Sequence, residues 1–458
     1  MTEHKKTSRL LRLAALFIGL LLCLTRPSSA QDFYSNVPDL TVVLDTSRTL
    51  EPSPIAIEDP VSETGAALFP SDMQTLLDLA EVIRNDMDFT PLCSLVLIDS
   101  IYMRHMGLAE MTSSAWQRLG TRYFVKLNAR VKGDTLEIGY IAYVSASGRE
   151  KARGRFETLK KDYRALAHTI SDDMMWKIFS EVGIFRTRIC YIVQRDNVKD
   201  LYMADYDGAS AVRVLSNGSI NLSPTFTPDG KEALFTSYVS GYPKIHSFNL
   251  KTGKTRVIAG YKGLNAAPTV SPDGDRIACV LTKDGNSEIY LLDRRGRIIR
   301  RLTRTRAIEN SPSFSPDGRE IVFTSDRSGS PQIYIMDIEG LNVRRITFRG
   351  RYNDSPAWSP TGEMILFVSR TERGRFDICT IAPSGEDFRI LTNVGANENP
   401  HFSPDGKSII FSSTRLGVKE IFTMDMFGRK QSRLTRTARS GNQTIGASNP
   451  NWGPLLNQ

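Results

Sequence analysis

A tripeptide that returns at a fixed interval constrains this chain more than any other feature. Pro-Asp-Gly begins at residues 228, 272, 316 and 404, with Pro-Thr-Gly at 360, so every step is 44 residues. One unit continues with the runs EIVFTS (320–325), QIYIMD (332–337) and VRRIT (343–347). Such runs favour strands, and Asp-Gly favours a tight hairpin because glycine adopts positive φ. Four short antiparallel strands in each repeat are typical of a β-propeller blade.

The two ends of the repeat region are incomplete in complementary ways. Residues 188–193, 200–205 and 212–215 have the pattern of the second, third and fourth strands of a unit that lacks its first strand. Residues 449–454 have the pattern of a first strand and then stop. We therefore predict that the C-terminal strand completes the first blade and closes a ring of six blades. Closure removes the exposed sheet edges that an open stack would leave.

The first thirty residues have the organisation of a secretory signal peptide. Basic residues up to Arg12 precede an apolar run at 13–24, and Ser28-Ser29-Ala30 offers a small-residue cleavage site. The apolar run is shorter than the roughly 20 residues that a membrane-spanning helix needs. We expect cleavage between Ala30 and Gln31, and export of the mature chain.

Charge and cysteine content exclude few folds but narrow the class of partner. Removal of residues 1–30 takes away five basic residues and one acid, which lowers the formal net charge from +9 to +5. A small, dispersed positive charge does not favour nucleic-acid binding.

The four remaining cysteines contain no close pair in the sequence. We expect buried free thiols, with one disulfide left open as an alternative. They are Cys93, Cys190, Cys279 and Cys379.

Residues 31 to about 187 contain no repeat. Helical spacing of apolar residues predicts a helix over 73–87 with Ser71 as N-cap, and a second over 163–182 that ends at Gly183. Alternating apolar residues on either side of 132–134 predict a hairpin. A short strand could form near residue 55, but its prolines favour an extended lead-in over a central strand.

These patterns divide the chain into four parts. We predict a signal peptide at 1–30, an extended N-terminal partner-binding segment at 31–52, an α/β domain at 53–186 and an all-β six-bladed propeller at 187–458. Almost no linker separates the last two parts, so we expect a fixed orientation between them.

Two stretches near the start of the propeller carry a resemblance to a known family. Residues 167–172 read AHTISD, and residues 183–189 read GIFRTRI. With AWQRLG at 115–120, the signal peptide and the order of the domains, these residues resemble the TolB family, the periplasmic component of the Tol–Pal system of Gram-negative bacteria. The resemblance covers essentially the whole mature chain.

The resemblance implies a monomeric, non-enzymatic adaptor in the periplasm without a cofactor. Its expected partners are a Pal-like peptidoglycan-associated lipoprotein on the propeller face and TolA at the N-terminal segment, with membranes reached only through these partners. The expected role is in envelope integrity and outer-membrane constriction during cell division. The TolA contact is expected at Phe33, Tyr34, Leu40 and Val42.

One face of the propeller is predicted to bind the lipoprotein, because loops on a rigid scaffold often carry function. This face contains the loops between second and third strands and the connections between blades. By resemblance, Leu264, Asn265, Ala267 and Asn310 lie at lipoprotein-contacting positions. By their place in these loops, the predicted set also includes Arg327, Asn353, Asp354, Arg373, Asn397 and Asn399. The alternative is that these Asn residues only stabilise turns.

The sequence offers little for catalysis. The mature chain has four histidines, His105, His168, His246 and His401, without metal-ligand spacing, and it lacks a G-x-S-x-G nucleophile motif. The Asp residues of the repeated tripeptide occupy equivalent turns, which indicates a structural role. We therefore expect no catalytic residue and no metal ligand. The alternative function is an exported propeller hydrolase or a ligand-binding propeller.

Overall fold

The computed structural model describes residues 51–63, 68–97, 113–372, 374–437 and 445–455. The predicted signal peptide, the residues predicted to contact TolA, and Arg373 lie outside these ranges. The elements of the N-terminal domain are β1 (Ser53–Ile57), β2 (Val61–Ser62), α1 (Pro70–Phe89), β3 (Cys93–Leu95), α2 (Ser113–Arg118), β4 (Tyr123–Lys132), β5 (Thr135–Val144), β6 (Arg149–Leu159) and α3 (Tyr163–Met174). The described residues contain no helix with the length and apolar character needed to cross a bilayer.

A mixed sheet forms the centre of this domain, with strand order β3-β1-β4-β5-β6. The predicted hairpin is present as β4 and β5. The expected lead-in is instead the strand β1, which pairs in parallel with β3 and β4 and is therefore central. Pro54 is tolerated because it is the second residue of β1 and its carbonyl still accepts a hydrogen bond of 2.8 Å from Arg122 N.

Helices α1 and α3 pack together and cover the sheet with their apolar faces. Helix α1 begins at Pro70 with Phe69 at the N-cap, so the prediction that Ser71 caps this helix is wrong. Proline suits the first helical position because its missing N–H would have no partner there. Helix α3 continues as a π-helical turn, Met175–Phe179, and ends at Ser180, whose φ is 59°.

Gly183 is required because the side chain of Asp172 approaches its Cα closely, and not because it ends the helix. A Cβ atom at this position would lie 2.1 Å from Asp172 Oδ1. The carboxylate of Asp172 accepts hydrogen bonds from Phe185 N at 3.0 Å and Arg186 Nε at 2.6 Å. The junction between the domains therefore folds around this buried carboxylate, and the prediction that Gly183 caps the helix is corrected.

Six four-stranded antiparallel sheets follow and form the propeller. Blade 1 contains β7 (Arg188–Arg195), β8 (Val198–Asp205), β9 (Val212–Leu215) and the last strand, β30 (Ile445–Trp452). Blade 2 contains β10 (Asn221–Phe226), β11 (Glu232–Ser237), β12 (Lys244–Asn249) and β13 (Thr255–Ala259); blade 3 contains β14 (Asn265–Val270), β15 (Arg276–Leu281), β16 (Glu288–Asp293) and β17 (Ile298–Arg301). Blade 4 contains β18 (Glu309–Phe314), β19 (Glu320–Ser325), β20 (Gln332–Asp337) and β21 (Arg344–Arg345); blade 5 contains β22 (Asn353–Trp358), β23 (Ile365–Arg370), β24 (Phe376–Ile381) and β25 (Arg389–Ile390). Blade 6 contains β26 (Asn397–Phe402), β27 (Ser408–Ser413), β28 (Glu420–Asp425) and β29 (Ser432–Arg433).

Strand β30 pairs with β7, which confirms the six-bladed ring and its closure by the C-terminal strand. The middle strands of each blade are buried on both faces, as β19 shows, because each blade packs between two neighbours. The tripeptide turns follow the predicted chemistry: Gly318 has φ 68°, and Asp317 Oδ1 accepts a hydrogen bond of 3.1 Å from Arg319 N. In the described part of the chain, Cys93, Cys190, Cys279 and Cys379 are buried and form no disulfide.

The inner strands share an irregularity that shapes the central channel. In β18 the pairing register shifts between Asn310 and Ser313, and Ser311 between them has φ 50°. The same left-handed residue occurs in all six inner strands, immediately before a proline. These residues line the channel. They are Ser223, Ala267, Ser311, Ser355, Asn399 and Asn449.

Candidate functional site

The antiparallel order of each blade sorts its connections onto two faces of the ring. Turns between first and second strands, and between third and fourth strands, lie on one face, here called the turn face. Loops between second and third strands, and connections to the next blade, lie on the opposite face, here called the open face. The loops of the open face span 196–197, 238–243, 282–287, 326–331, 371–375 and 414–419. Its connections span 216–220, 260–264, 302–308, 346–352, 391–396 and 434–444, and the structure describes the last of these up to 437.

The α/β domain packs on the turn face at blades 1 and 6. Lys407, in the tripeptide turn of blade 6, pairs with Glu181 at 2.6 Å. Arg164 on α3 pairs with Asp207 of blade 1 at 2.6 Å. Because these contacts involve only the turn face, the open face is left accessible in the described part of the chain.

Buried amides at the start of the inner strands hold the segments of the open face. Asn265 Nδ2 donates to Tyr261 O at 2.7 Å and to Gly263 O at 3.1 Å, and its Oδ1 accepts from Tyr261 N at 2.8 Å. Asn353 and Asn397 bond in a similar way to the segments around them, and all three side chains are fully buried. Their burial does not fit the predicted direct contact with a partner. They act as positioning residues for the loops.

Blade 4 replaces this amide with a carboxylate. Glu309 is fully buried and accepts hydrogen bonds from Arg327 Nη2 at 2.9 Å and Thr305 Oγ1 at 2.7 Å. The guanidinium of Arg327 also lies over the rings of Phe323 and Tyr334, at 5.4 Å and 4.9 Å from their centroids. Arg327 was predicted as a contact residue, but its charge is already committed to a buried partner.

The remaining predicted residues have accessible surface on the open face or the channel. Asn310 is half-buried, and its side chain makes no hydrogen bond to a described residue. Leu264 is also half-buried, whereas Ala267 and Asn399 line the mouth of the channel. Asp354 is held in place by Thr324 and Tyr352, whose hydroxyls donate to it at 2.8 Å and 2.9 Å.

The sequence interpretation missed the apolar side chains of the open face. Among the described residues of this face, seven large apolar side chains are exposed, and Tyr242 and Phe348 are each 74% exposed. In the sequence these are single apolar residues within polar loops, which is a weak signal. They are recognisable as one surface only when the loops of the six blades lie together on the same face of the ring. The seven are Ile220, Val239, Tyr242, Ile308, Phe348, Val394 and Leu416.

The open face is also basic. Its described loops and connections contain eleven Lys or Arg residues and four acidic residues, which are Asp196, Asp284, Asp326 and Glu372. Seven of the basic side chains are exposed and form no ion pair with another described residue. These seven are Lys262, Arg304, Arg306, Arg349, Arg351, Arg375 and Arg436. A partner that covers this surface should bring apolar side chains and a negative charge.

Curated proteins with similar sequences share one name. The Tol-Pal system protein TolB of Geobacter sulfurreducens is 36% identical over 225 residues, which are 48% of this chain and 49% of that protein. The protein of the same name from Pseudomonas fluorescens is 31% identical over 227 residues, covering 48% of this chain and 51% of that protein. The chain thus spans about half the length of the curated relatives it matches.

Structural and family comparisons extend over more of the chain. The crystal structure of TolB from Acinetobacter baumannii superimposes with a TM-score of 0.75 at 27% identity, covering 88% of this chain and 97% of that chain. The family model of the TolB β-propeller domain matches residues 176–456. That match includes all six blades and more than half of the sequence, so the chain belongs to the TolB β-propeller family.

Proposed function

We propose that this chain is a non-enzymatic periplasmic adaptor of the Tol–Pal system. In this proposal the open face binds a Pal-like lipoprotein, and residues 31–52 bind TolA. The coupled contacts support envelope integrity and outer-membrane constriction during division. Family membership and the names of the relatives support the system, and the predicted signal peptide supports the compartment.

One observation carries the docking proposal: exposed apolar side chains and unpaired basic side chains share the face opposite the α/β domain. Phe348 and Ile308 supply the apolar contact area, and Arg306 supplies a charge that no described residue neutralises. Aromatic and arginine side chains are enriched among residues that dominate binding energy at protein interfaces. We therefore extend the predicted set of contact residues with these three.

The burial of the inner-strand asparagine side chains divides the residues predicted to contact the lipoprotein into two groups. Leu264, Ala267, Asn310, Asp354 and Asn399 remain proposed contacts. The positioning residues Asn265, Asn353 and Asn397 support the loops from below, as Arg327 does through Glu309. For Arg373 and for the TolA-contacting residues Phe33, Tyr34, Leu40 and Val42, the proposal rests on the sequence.

The histidines of the described chain are engaged in ways that support a non-enzymatic role. His168 bonds to Asp86, and His401 bonds to the backbone carbonyl of Phe402 at 2.8 Å. His246 stacks on Phe235 with a centroid separation of 5.7 Å. None of these arrangements pairs a nucleophile with a base.

Capture of the soluble domain of the Pal-like partner by the mature chain tests the choice of face. Arg306→Glu should weaken the affinity at least tenfold, because it reverses an unpaired charge on the open face. The matched control is Arg295→Glu, because Arg295 is exposed, forms no ion pair with a described residue, and lies in a third-to-fourth-strand turn on the turn face. Equal affinities of the two variants would contradict docking on the open face.

The TolA contact needs a separate experiment. Deletion of residues 31–50 should abolish binding of TolA while leaving capture of the Pal-like domain intact. Loss of both partners would show that the segment is needed for the fold rather than for one contact.

A further inference from the structure

A buried histidine at the junction of the two domains has one ring nitrogen without a partner among the described residues. His168 on α3 is 4% exposed, and its Nδ1 lies 2.9 Å from Asp86 Oδ2 on α1. Tyr206 donates a hydrogen bond of 2.6 Å to the other oxygen of Asp86. Because Asp86 accepts the Nδ1 proton, the lone pair of the neutral ring lies on Nε2. That atom is buried and makes no hydrogen bond to any described residue.

Two carboxylates of blade 1 lie close to the ring of His168. Asp205 ends β8 and Asp207 lies in the turn that follows, and one ligand atom from each of these residues and from His168 all lie within 4.8 Å of one another. A tetrahedral zinc ion with bond lengths of about 2.1 Å holds its ligand atoms about 3.4 Å apart. Small rotations of the side chains would therefore bring the three atoms into coordination distance.

Asp205 departs from the pattern of its counterparts in other blades. The aspartates that end β16, β20 and β28 each accept two backbone N–H bonds from their own turn, as Asp293 does from Arg295 and Arg297 at 2.9 Å. In blade 1 the bond within the turn goes instead to Asp207 Oδ1, from Ala209 N at 3.0 Å. The carboxylate of Asp205 has no hydrogen-bond partner in the described chain.

Negative charge gathers around His168 at the junction. Asp86, Asp205 and Asp207 place three carboxylates there. Among the described residues, Arg164 pairs with one of them, since its Nη2 lies 2.6 Å from Asp207 Oδ2. A divalent ion would compensate the excess negative charge. The bond from His168 Nδ1 to Asp86 also matches the way in which metal-binding histidines are oriented by a second carboxylate.

We propose that His168 Nε2 and the carboxylates of Asp205 and Asp207 form a binding site for a divalent metal ion of the zinc type. One nitrogen and two oxygen ligands suit such an ion, with water completing the coordination. The ion links α3 to blade 1 and so fastens the α/β domain to the propeller. Sequence spacing did not predict this site, because its ligands come from two domains and meet only in the fold.

Calorimetric titration of the EDTA-treated mature chain with ZnCl₂ tests the site. We expect one ion to bind per chain, and Asp205→Asn to weaken that binding at least tenfold. Asp205→Asn should fold normally because the carboxylate that it removes bonds to no described residue. Asp293→Asn, the counterpart in blade 3, is the matched control and should bind as the unmodified chain does.

Thermal unfolding gives a second readout. Saturating Zn²⁺ should raise the Tm of the unmodified chain and of Asp293→Asn, but not that of Asp205→Asn, because an ion that binds only the folded state stabilises it. Absence of stoichiometric binding in the micromolar range would overturn the proposal. Equal affinities of Asp205→Asn and Asp293→Asn would overturn it as well.

Discussion

The indole Nε1 of Trp452 donates a hydrogen bond of 2.9 Å to the hydroxyl of Thr187, and both side chains are buried. Trp452 ends the last strand of the chain, and Thr187 immediately precedes the first strand of the propeller. Thr187 Oγ1 in turn donates to Ile184 O at 2.6 Å. The closing strand is therefore tied to the segment that leads from the α/β domain into blade 1.

Trp452→Phe should destabilise the chain by about 1 kcal/mol or more, because it removes a buried donor and part of a well-packed ring. Trp358→Phe is the matched control. Trp358 occupies the equivalent position in blade 5, is half-buried, and bonds within its own blade to Gly362 O at 3.2 Å. Urea unfolding should give a larger loss for Trp452→Phe, and equal losses would argue against a special role for closure.

Asn265→Ala should cost about 1–3 kcal/mol, because it leaves buried carbonyls of the loop without their donor. Asn310→Ala should change the free energy of unfolding by no more than about 0.5 kcal/mol, since its amide holds no described residue. The proposal also predicts that Asn310→Trp, which adds bulk to the open face, weakens capture of the Pal-like domain. If Asn310→Ala proved as destabilising as Asn265→Ala, the separation of contact from positioning residues would fail.

The ring and its closure were predictable because their signals are local and repeated. Asp317-Gly318 specifies the same hairpin in each unit, and runs such as 320–325 specify strands that are buried on both faces. Strand β1 was misread because Pro54 is a local signal against a central strand. Its two parallel neighbours come from distant parts of the domain and supply the bonds that its sequence does not reveal.

The candidate site was less predictable, because asparagine has the same appearance in a sequence whether it caps a loop or faces solvent. Their position in the repeat placed both Asn265 and Asn310 on the open face of the ring. Only the three-dimensional structure distinguishes the fully buried amide of Asn265 from the accessible one of Asn310. The sequence also could not predict that His168 meets blade 1, since the residues of this junction belong to different domains.

Arg327→Ala should cost about 3–5 kcal/mol, because it leaves the buried carboxylate of Glu309 without its cation. Glu309→Asn installs the amide that four other blades use at this position. The double variant Glu309→Asn with Arg327→Ala should therefore be more stable than Arg327→Ala alone in urea unfolding. A double variant that is less stable than Arg327→Ala would contradict a shared role for the pair.

His401 should make the stability of the propeller sensitive to acid. Burial in the channel wall lowers the pKa of this ring, against the effect of its hydrogen bond to Phe402 O. The unfolded chain, with an ordinary histidine pKa of about 6.5, then binds the proton more readily than the folded chain. The stability that the neutral ring contributes is present above that value and is lost as the pH falls through it towards the lower folded pKa.

The matched variant is His401→Asn, because Asn451 occupies the equivalent position in blade 1 and bonds there to Phe226 N at 3.1 Å. Free energies of unfolding should be measured for both chains between about pH 8 and about pH 5, a range that brackets the ordinary histidine pKa. The advantage of the unmodified chain over His401→Asn should shrink as the pH falls, whereas the titration of other groups is common to both. A difference that stays constant over this range would mean that His401 keeps its ordinary pKa in the folded protein.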